Sequence, residues 1–290
     1  MPTGNTTTGS LADSQELIID SARIVREFEG TFQRTCDVQT LAEKTGLSWE
    51  EIALDKLTAQ AITETTELNN PQQLADSLFT ITPAVSGIHI CITDRVYRRL
   101  SKKTLAKMGQ LKQNAIQRKK DEDYLTIFAG ATTTLGGTGQ TGTQGHISAA
   151  ARRITSNTSE PSTSALYGVF HGYVIKDFED EIKAPVGTYS VDGLSEEFYR
   201  KGLRGQVAGV TIYEDGNVTI NSTPDARGAV HSKEAVVLVQ GHSPRSETRR
   251  RPQTGGGADE MFMYDEYAYG ERSAGNWLYG MLHDATAPTS

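Results

Sequence analysis

Glycines near the middle of the chain form the pattern that most directly suggests chemistry. The stretch GGTGQTG, residues 136–142, places Gly137, Gly139 and Gly142 in the order G-x-G-x-x-G, and the helix-like stretch HISAAARRI follows it. In dinucleotide-binding proteins this spacing turns a strand tightly into a helix whose N-terminal amides hold a pyrophosphate. A nucleotide-dependent enzyme that uses residues 137–142 is therefore one hypothesis.

The residues around these glycines favour a simpler interpretation. The strand-like stretch YLTIFAG ends at Gly130, and six residues separate it from Gly137, which is too many for a tight turn. Glu160 has about the right spacing for a ribose-binding acid, but it precedes Pro161 in a polar loop. A Walker loop would need a lysine, and this stretch has none. We expect a flexible connection over residues 130–145 that binds no cofactor.

Histidine, cysteine and serine residues suggest no catalytic or metal centre. His89 and Cys91 would share one face of a strand, but two ligands are too few for zinc and no nearby residue completes the set. His242 and Ser243 follow a glycine, but the second glycine of a nucleophile elbow is missing. We therefore predict a protein that is not an enzyme and holds no metal.

A run of six charges, RKKDED, forms the other chemical pattern. On a helix these side chains are i,i+3 and i,i+4 neighbours, so the simplest interpretation is a self-paired, solvated face. The alternative is a charge contact between subunits, and the candidate residues are Arg118, Lys119, Lys120, Asp121, Glu122 and Asp123. A second basic run, RRR at 249–251, is expected in a solvated loop or against phosphate or an acidic neighbour.

Composition excludes several classes of protein. The 290 residues carry a net charge of −7, which argues against a general duplex-DNA binder with a basic stripe. The two cysteines, Cys36 and Cys91, fit no disulfide framework and indicate reduced thiols in a cytoplasm-like compartment. The N-terminus lacks a secretory signal, and the longest strongly apolar run, AVVLV, is far too short to span a membrane.

The first third of the chain predicts helices and a long unsupported hairpin. Residues 14–30 have helical periodicity, and Ser48 with Glu51 forms a capping-box pattern for a second helix. Residues 58–92 are rich in Thr and Ile with a turn signal at Asn69-Asn70-Pro71, and they predict a two-armed loop or hairpin. Within it, Ile88, Ile90 and Ile92 alternate as in a strand. Because an isolated hairpin is marginal in water, this one needs a surface to lie against.

The rest of the chain predicts a long helix, an α/β lobe and a strand-rich end. Residues 104–128 would form a helix about 37 Å long. Residues 146–225 alternate helix and strand patterns, with a hairpin turn predicted at 214–216, and the three final strand patterns follow. A basic, glycine-rich link, RSETRRRPQTGGGADE, is predicted between the first two of these strands.

The order of these parts resembles the major capsid protein of tailed bacteriophages, with the Hong Kong phage-type shell fold that encapsulins share. The stretches that carry the resemblance are EDYLTIFAG, GLRGQVAGVTIYEDGNVTI, GAVHSKEAVVLVQG and YDEYAYG, and the most similar regions are 59–130 and 226–288. The resemblance implies an α+β fold with an N-terminal arm (1–44), an extended loop (45–93), a peripheral domain with a long spine helix (94–129 and 226–290) and an axial domain (130–225).

The resemblance also implies a function in assembly. The chain would form hexamers and pentamers of an icosahedral shell around the genome of a double-stranded DNA phage, assembled in the host bacterial cytoplasm and retained in the virion. Scaffolding, portal or decoration proteins would be partners, and DNA would lie on the inner face without sequence-specific contacts. An encapsulin-like compartment is the alternative. Besides residues 118–123, the expected subunit contacts are Asn69, Asn70, Pro71 and Phe79.

Overall fold

The computed structural model describes residues 27–289, apart from residues 29, 43, 45, 66, 68–70, 100–101, 187–205 and 255. Most of the helix predicted over residues 14–30 lies outside this part of the chain, as do Asn69 and Asn70. The described helices are α1 (Phe32–Thr35), α2 (Asp94–Arg99), α3 (Lys102–Ala129), α4 (Gln144–Thr155) and α5 (Gly172–Val186). The strands are β1 (Asp37–Thr40), β2 (Trp49–Leu54), β3 (Asp76–Ile81), β4 (Ala84–Thr93), β5 (Thr134–Gly136), β6 (Leu166–Phe170), β7 (Gln206–Val207), β8 (Val210–Glu214), β9 (Asp225–Ser232), β10 (Val236–Arg251), β11 (Ala258–Glu271) and β12 (Leu278–Asp284).

The described strands form three sheets. One has the order β1-β10-β11-β4, the second has the order β5-β12-β9-β6-β8-β7, and the third is the antiparallel hairpin β2-β3. In the first sheet β11 pairs antiparallel with both β10 and β4, whereas β1 pairs in parallel with β10. Strands from the last third of the chain, β10 and β11 in the first sheet and β9 and β12 in the second, therefore occupy interior positions of both large sheets.

Helix α3 connects these layers. Its 28 residues correspond to about 42 Å, and the long helix predicted over residues 104–128 is confirmed. Residues four apart lie near one another on a helix, and this spacing produces one buried row, formed by Lys112, Ile116, Lys120, Tyr124 and Phe128. Tyr124 and Phe128 pack with Phe32, Val236 and Leu278 in one hydrophobic core.

A second core lies in the lobe formed by residues 134–285. Helices α4 and α5 contribute Ile147, Ile154 and Phe178, which cover Val210 of β8 and Met281 of β12. The helix predicted around HISAAARRI and the strand-then-helix predicted around LYGVFHGYVIKDFEDEI are therefore confirmed as α4, β6 and α5.

Three local predictions are wrong, and in each case pairing with distant residues decides the structure. Ser48 does not start a helix, because Trp49 begins β2 and pairs with Ile81. The hairpin predicted around residues 214–216 does not form, since β8 pairs with β6 and β7. Residues 245–251 form no link, because β10 continues to Arg251 alongside β11.

Candidate functional site

The glycine segment directly follows a strand and precedes a helix. The expectation that six residues separate Gly137 from the preceding strand was therefore wrong. Strand β5 ends at Gly136, immediately before Gly137, and α4 begins at Gln144. Gly139 has a φ of +68°, a backbone conformation that favours glycine. A Cβ at Gly142 would lie 2.8 Å from Phe178, so this glycine permits close packing of α5. Backbone conformation and close packing thus explain two of the three glycines without a ligand.

Three carboxylates of this chain accept hydrogen bonds from the backbone N–H groups that a bound phosphate would need. The Gly139 N–H donates to Asp225 Oδ1 at 2.8 Å. The Gly142 N–H donates to Asp177 Oδ2 at 3.4 Å, and the Gln144 N–H donates to Glu181 Oε2 at 2.6 Å. A phosphate at this helix N-terminus would face three carboxylates, which repel it. Nothing in this geometry supports the nucleotide-dependent enzyme.

The hairpin β2-β3 has one face that packs on the protein and another that contacts nothing described. On the packed face, the rings of Trp49 and Phe79 meet edge to face at 6.2 Å, and Ile81 belongs to the core with Val237 and Val239. Arg272 also holds this face, because its guanidinium donates to Glu51 at 2.8 Å. Phe79 is thus half-buried inside the chain, and its expected subunit contact stays a prediction.

The opposite face of the hairpin presents apolar side chains to solvent. Ile52 and Leu78 are directly paired across the two strands and are 62% and 60% exposed. Further exposed apolar residues continue toward the hairpin tip, namely Leu54, Leu57, Ile62 and Leu74. Pro71 is also exposed. Several exposed apolar side chains within one segment are typical of a protein–protein contact surface.

The six charges on α3 divide into an exposed and a buried set. Arg118 contacts Glu122 at 3.5 Å and Glu27 at 3.4 Å, and Lys119 forms an ion pair with Asp123. These pairs agree with the predicted i,i+4 contacts. Lys120 and Asp121, however, are 4% and 0% exposed, so the solvated-face interpretation is wrong for them.

Lys120 and Asp121 have their partners inside this chain. Lys120 Nζ lies 2.6 Å from Asp265 Oδ2 on β11, and 5.0 Å from the centre of the Tyr267 ring. Asp121 accepts hydrogen bonds from Thr31 and Asn217. We therefore assign neither residue to a subunit contact. The i,i+4 spacing of Lys120 with Ile116 and Tyr124 was the signal that could have predicted its burial.

Several histidine and cysteine side chains pack within the fold. His89 stacks on Phe262 with ring centroids 4.3 Å apart, and both Cys36 and Cys91 are buried free thiols. Burial lowers the pKa of His231 and of His283 to about 4. Within the part of the chain that the structure describes, no group of three or more His, Cys, Asp or Glu side chains could hold a metal ion.

The basic run at residues 249–251 lies on a strand and not in the predicted loop. Arg250 forms ion pairs with Asp94 and Asp259, and Arg251 lies 2.9 Å from Glu260. Two of the three arginines are thus neutralised by acidic residues of the same sheet and its flanking helix.

Comparison with solved structures identifies the fold. The structure matches a chain from Mycobacterium phage Che8 with a TM-score of 0.73 and 13% identity, over 94% of this chain and 97% of that one. The chain has the shell fold of tailed-phage capsid proteins. This shell fold also matches the head structure of Helicobacter pylori bacteriophage KHP40, with a TM-score of 0.71 and 11% identity, over 98% of this chain and 100% of that one.

A third solved structure also matches over nearly the whole of both chains. The capsid structure of the cyanophage P-SCSP1u matches with a TM-score of 0.67 and 13% identity, over 99% of this chain and 97% of that one. No protein-family model and no curated protein matches the sequence. The shell fold expected from the order of parts is therefore confirmed by three-dimensional structure. Among the described helices, none is long and apolar enough to cross a membrane.

Proposed function

We propose that this chain is the major capsid protein of a tailed double-stranded DNA phage and that many copies assemble into an icosahedral shell. The observation that carries this proposal is the extent of the structural match, which spans nearly the whole of this chain and of the capsid chains it resembles. No large part of the chain remains for a different activity.

The exposed apolar face of the hairpin supports an assembly function independently. Ile52, Leu54 and Leu78 are each at least 60% exposed on the two-stranded sheet β2-β3. Burial of such side chains against another subunit is favourable by about 25 cal/mol per Å² of apolar surface. A closed shell repeats the same contact in every copy, so a modest gain per contact stabilises the whole assembly.

In this proposal the parts of the chain have distinct roles. Residues 1–44 are the N-terminal arm, residues 130–225 form the axial domain at the capsomer centre, and residues 94–129 with 226–290 form the peripheral domain. Residues 45–93 are the extended loop, of which 49–81 project toward a neighbouring subunit. Residues 84–93 form β4, which pairs with β11, so this end of the loop is anchored in the peripheral sheet.

The partners follow from the same proposal. Subunits associate as hexamers and pentamers, and Asn69, Asn70, Pro71 and Phe79 lie in or near the contacting loop. Arg118, Lys119, Glu122 and Asp123 provide the charged part of a contact on α3. Scaffolding, portal and decoration proteins add to the shell, and packaged DNA lies inside without sequence-specific contacts. Assembly takes place in the host bacterial cytoplasm, and the protein is retained in the virion.

Negative-stain microscopy of the full-length protein expressed in bacteria tests the proposal. We expect closed shells of uniform size, whereas a protein that stays monomeric both alone and with the scaffolding protein of its own phage would contradict it. Mass spectrometry of purified phage particles should identify this chain as the most abundant protein. Packaged genomic DNA in those particles separates a phage capsid from an encapsulin-like compartment.

A further inference from the structure

Three distant parts of the chain meet at two buried carboxylates. Asp121 lies on α3, Asp215 follows β8, and their side chains are 0% and 1% exposed. The Thr31 N–H donates to Asp121 Oδ1 at 3.0 Å and to Asp215 Oδ2 at 3.3 Å, and the Thr31 hydroxyl donates to Asp215 Oδ2 at 3.0 Å. Asn217 completes the cluster, because its side-chain amide donates to Asp121 Oδ2 at 2.8 Å and its N–H donates to Asp215 Oδ1 at 2.9 Å. We call these four residues the Thr31 joint.

No cation balances the two carboxylates among the residues that the structure describes. Arg118, one turn before Asp121 on α3, directs its guanidinium to Glu27 and Glu122. His171 faces Asp215, but burial lowers its pKa, so it is neutral near pH 7. Two tyrosines also lie near the pair, Tyr124 of α3 and Tyr269 of β11, and burial raises the pKa of each, so both are neutral near pH 7.

Two buried carboxylates without a cation do not both ionise readily. Removing each from water disfavours its charged form, and each charge then disfavours the other. Burial first, and the neighbouring charge of Asp215 second, raise the pKa of Asp121 to about 7. The Thr31 N–H and the Asn217 amide offset part of this effect. Asp121 therefore keeps its proton below about pH 7.

We propose that the Thr31 joint is a proton-operated latch, which holds Thr31 against α3 and the turn at 215–217 and opens as pH rises. The latch is closed while Asp121 keeps its proton. Loss of that proton leaves two adjacent buried charges, and separation of the segments returns both carboxylates to water. The latch is a property of the single chain, and only its consequence for shells rests on the proposed function.

The direction of the pH dependence follows from proton linkage. In the closed joint Asp121 has a pKa of about 7, and in the open joint it regains its ordinary value of 3.8. The closed form thus binds more protons, so its advantage is complete below about pH 4, declines as pH rises, and is lost above pH 7. From these two values the open population increases about tenfold between pH 6 and pH 9.

The latch connects the start of the described chain to the helix that spans both cores. In a shell as in the single chain, an open joint releases Thr31 from α3 and from the turn at 215–217, while α1 stays held by buried Phe32 and by the Thr35 hydroxyl bond to Tyr124. Alkaline conditions should therefore open the joint without unfolding the cores.

Hydrogen–deuterium exchange of the full-length protein tests the latch. After correction for intrinsic exchange chemistry, protection of the Thr31 amide region should fall about tenfold from pH 6 to pH 9 in the native protein. Asp121→Asn cannot lose a proton and should remove this dependence. Glu234→Gln changes an exposed carboxylate in the turn between β9 and β10, and as the control it should behave as the native protein does.

Two results of this exchange experiment would overturn the latch: constant protection in the native protein, or the same tenfold loss in Asp121→Asn. If Asp121→Asn does not fold, Asp215→Asn removes the neighbouring charge and should weaken the pH dependence of protection, leaving the part that burial of Asp121 causes. Infrared spectroscopy needs no variant, since the native protein should show the carbonyl band of a protonated carboxyl group at pH 6 and lose it by pH 9. Absence of that band at pH 6 also rejects the proposal. Because these measurements use single chains as well as shells, a failure of the latch is distinguishable from a failure of assembly.

Discussion

Lys120 Nζ on α3 lies 2.6 Å from Asp265 Oδ2 on β11, and both side chains are almost completely buried. The pair joins the long helix to the central strand of the four-stranded sheet across 145 residues of sequence. Buried ion pairs of this kind contribute little net free energy compared with apolar residues, but removing one partner leaves an uncompensated charge.

Breaking this pair should destabilise the fold strongly. We expect Lys120→Met to lower the free energy of unfolding by roughly 3–5 kcal/mol, because Asp265 is left buried and unpaired. Lys119→Met is the matched control, since its pair with Asp123 is exposed and contributes at most about 0.5 kcal/mol. Urea denaturation of the unassembled protein measures both. The double variant Lys120→Met, Asp265→Leu should recover most of the loss, and no recovery would show that packing dominates over charge.

The exposed charges on α3 should affect assembly and leave folding nearly unchanged. Lys119→Glu reverses an exposed charge, whereas reversing Lys120 would also disrupt the buried pair and obscure the result. We expect Lys119→Glu to lower shell yield at low salt, with the difference narrowing at high salt as the charges are screened. Light scattering at two salt concentrations measures the yield. Equal yields at low salt would mean that residues 118, 119, 122 and 123 are only a solvated helix face.

The apolar face of the hairpin should be needed for shells but not for the folded chain. Ile52→Ser combined with Leu78→Ser should change the free energy of unfolding by less than about 1 kcal/mol, because both side chains are exposed. The same change should abolish shells in negative-stain images. Ala53→Ser with Ser77→Ala alters the neighbouring cross-strand pair and is the control. Normal shells from the Ile52, Leu78 variant would contradict the proposed contact.

Acid should destabilise the protein through two buried histidines. His231 and His283 have pKa values of about 4 in the fold, against 6.5 when exposed, so the folded state binds fewer protons. The stability that they contribute is complete above about pH 6.5 and is lost as pH falls toward 4. The pKa of Asp121 is raised in the fold, so Asp121 has the opposite effect on stability over an overlapping pH range. We expect His283→Gln to reduce the loss of melting temperature between pH 7 and pH 4.5, and an unchanged loss would exclude His283 as its source.

Glycine substitutions should distinguish structural from ligand-binding roles for residues 137–142. Gly139→Ala should cost about 1–2 kcal/mol, because its φ is positive, although the space around it is open. Gly142→Ala should cost more, since the new methyl group meets Phe178 and Val174. Calorimetric titration of the native protein with NAD and ATP should show no binding. Saturable binding that Gly139→Ala removes would restore the nucleotide hypothesis.

Local periodicity in the sequence predicted several of the long helices and strands. The helical spacing of α3 and the alternation of Ile88, Ile90 and Ile92 on β4 repeat over enough residues to identify both elements without tertiary contacts. Ser48 and Glu51 show the limit of such patterns. A capping box favours a helix by about 1 kcal/mol. The strand that forms instead pairs Trp49 with Ile81, and their side chains pack with Phe79 in a hydrophobic cluster.

The amino-acid sequence by itself determined the order of the parts, the length of the spine helix and the presence of an unsupported loop, because each depends on composition and short-range spacing. Only the tertiary structure decided which charges are buried. Lys120 and Lys119 are identical in type and adjacent in sequence, yet one pairs with Asp265 in the interior and the other with Asp123 at the surface. That difference arises because Asp265, a partner more than a hundred residues away, is available to Lys120 in the interior. The free energy of burying a charge depends on such a partner more than on local sequence.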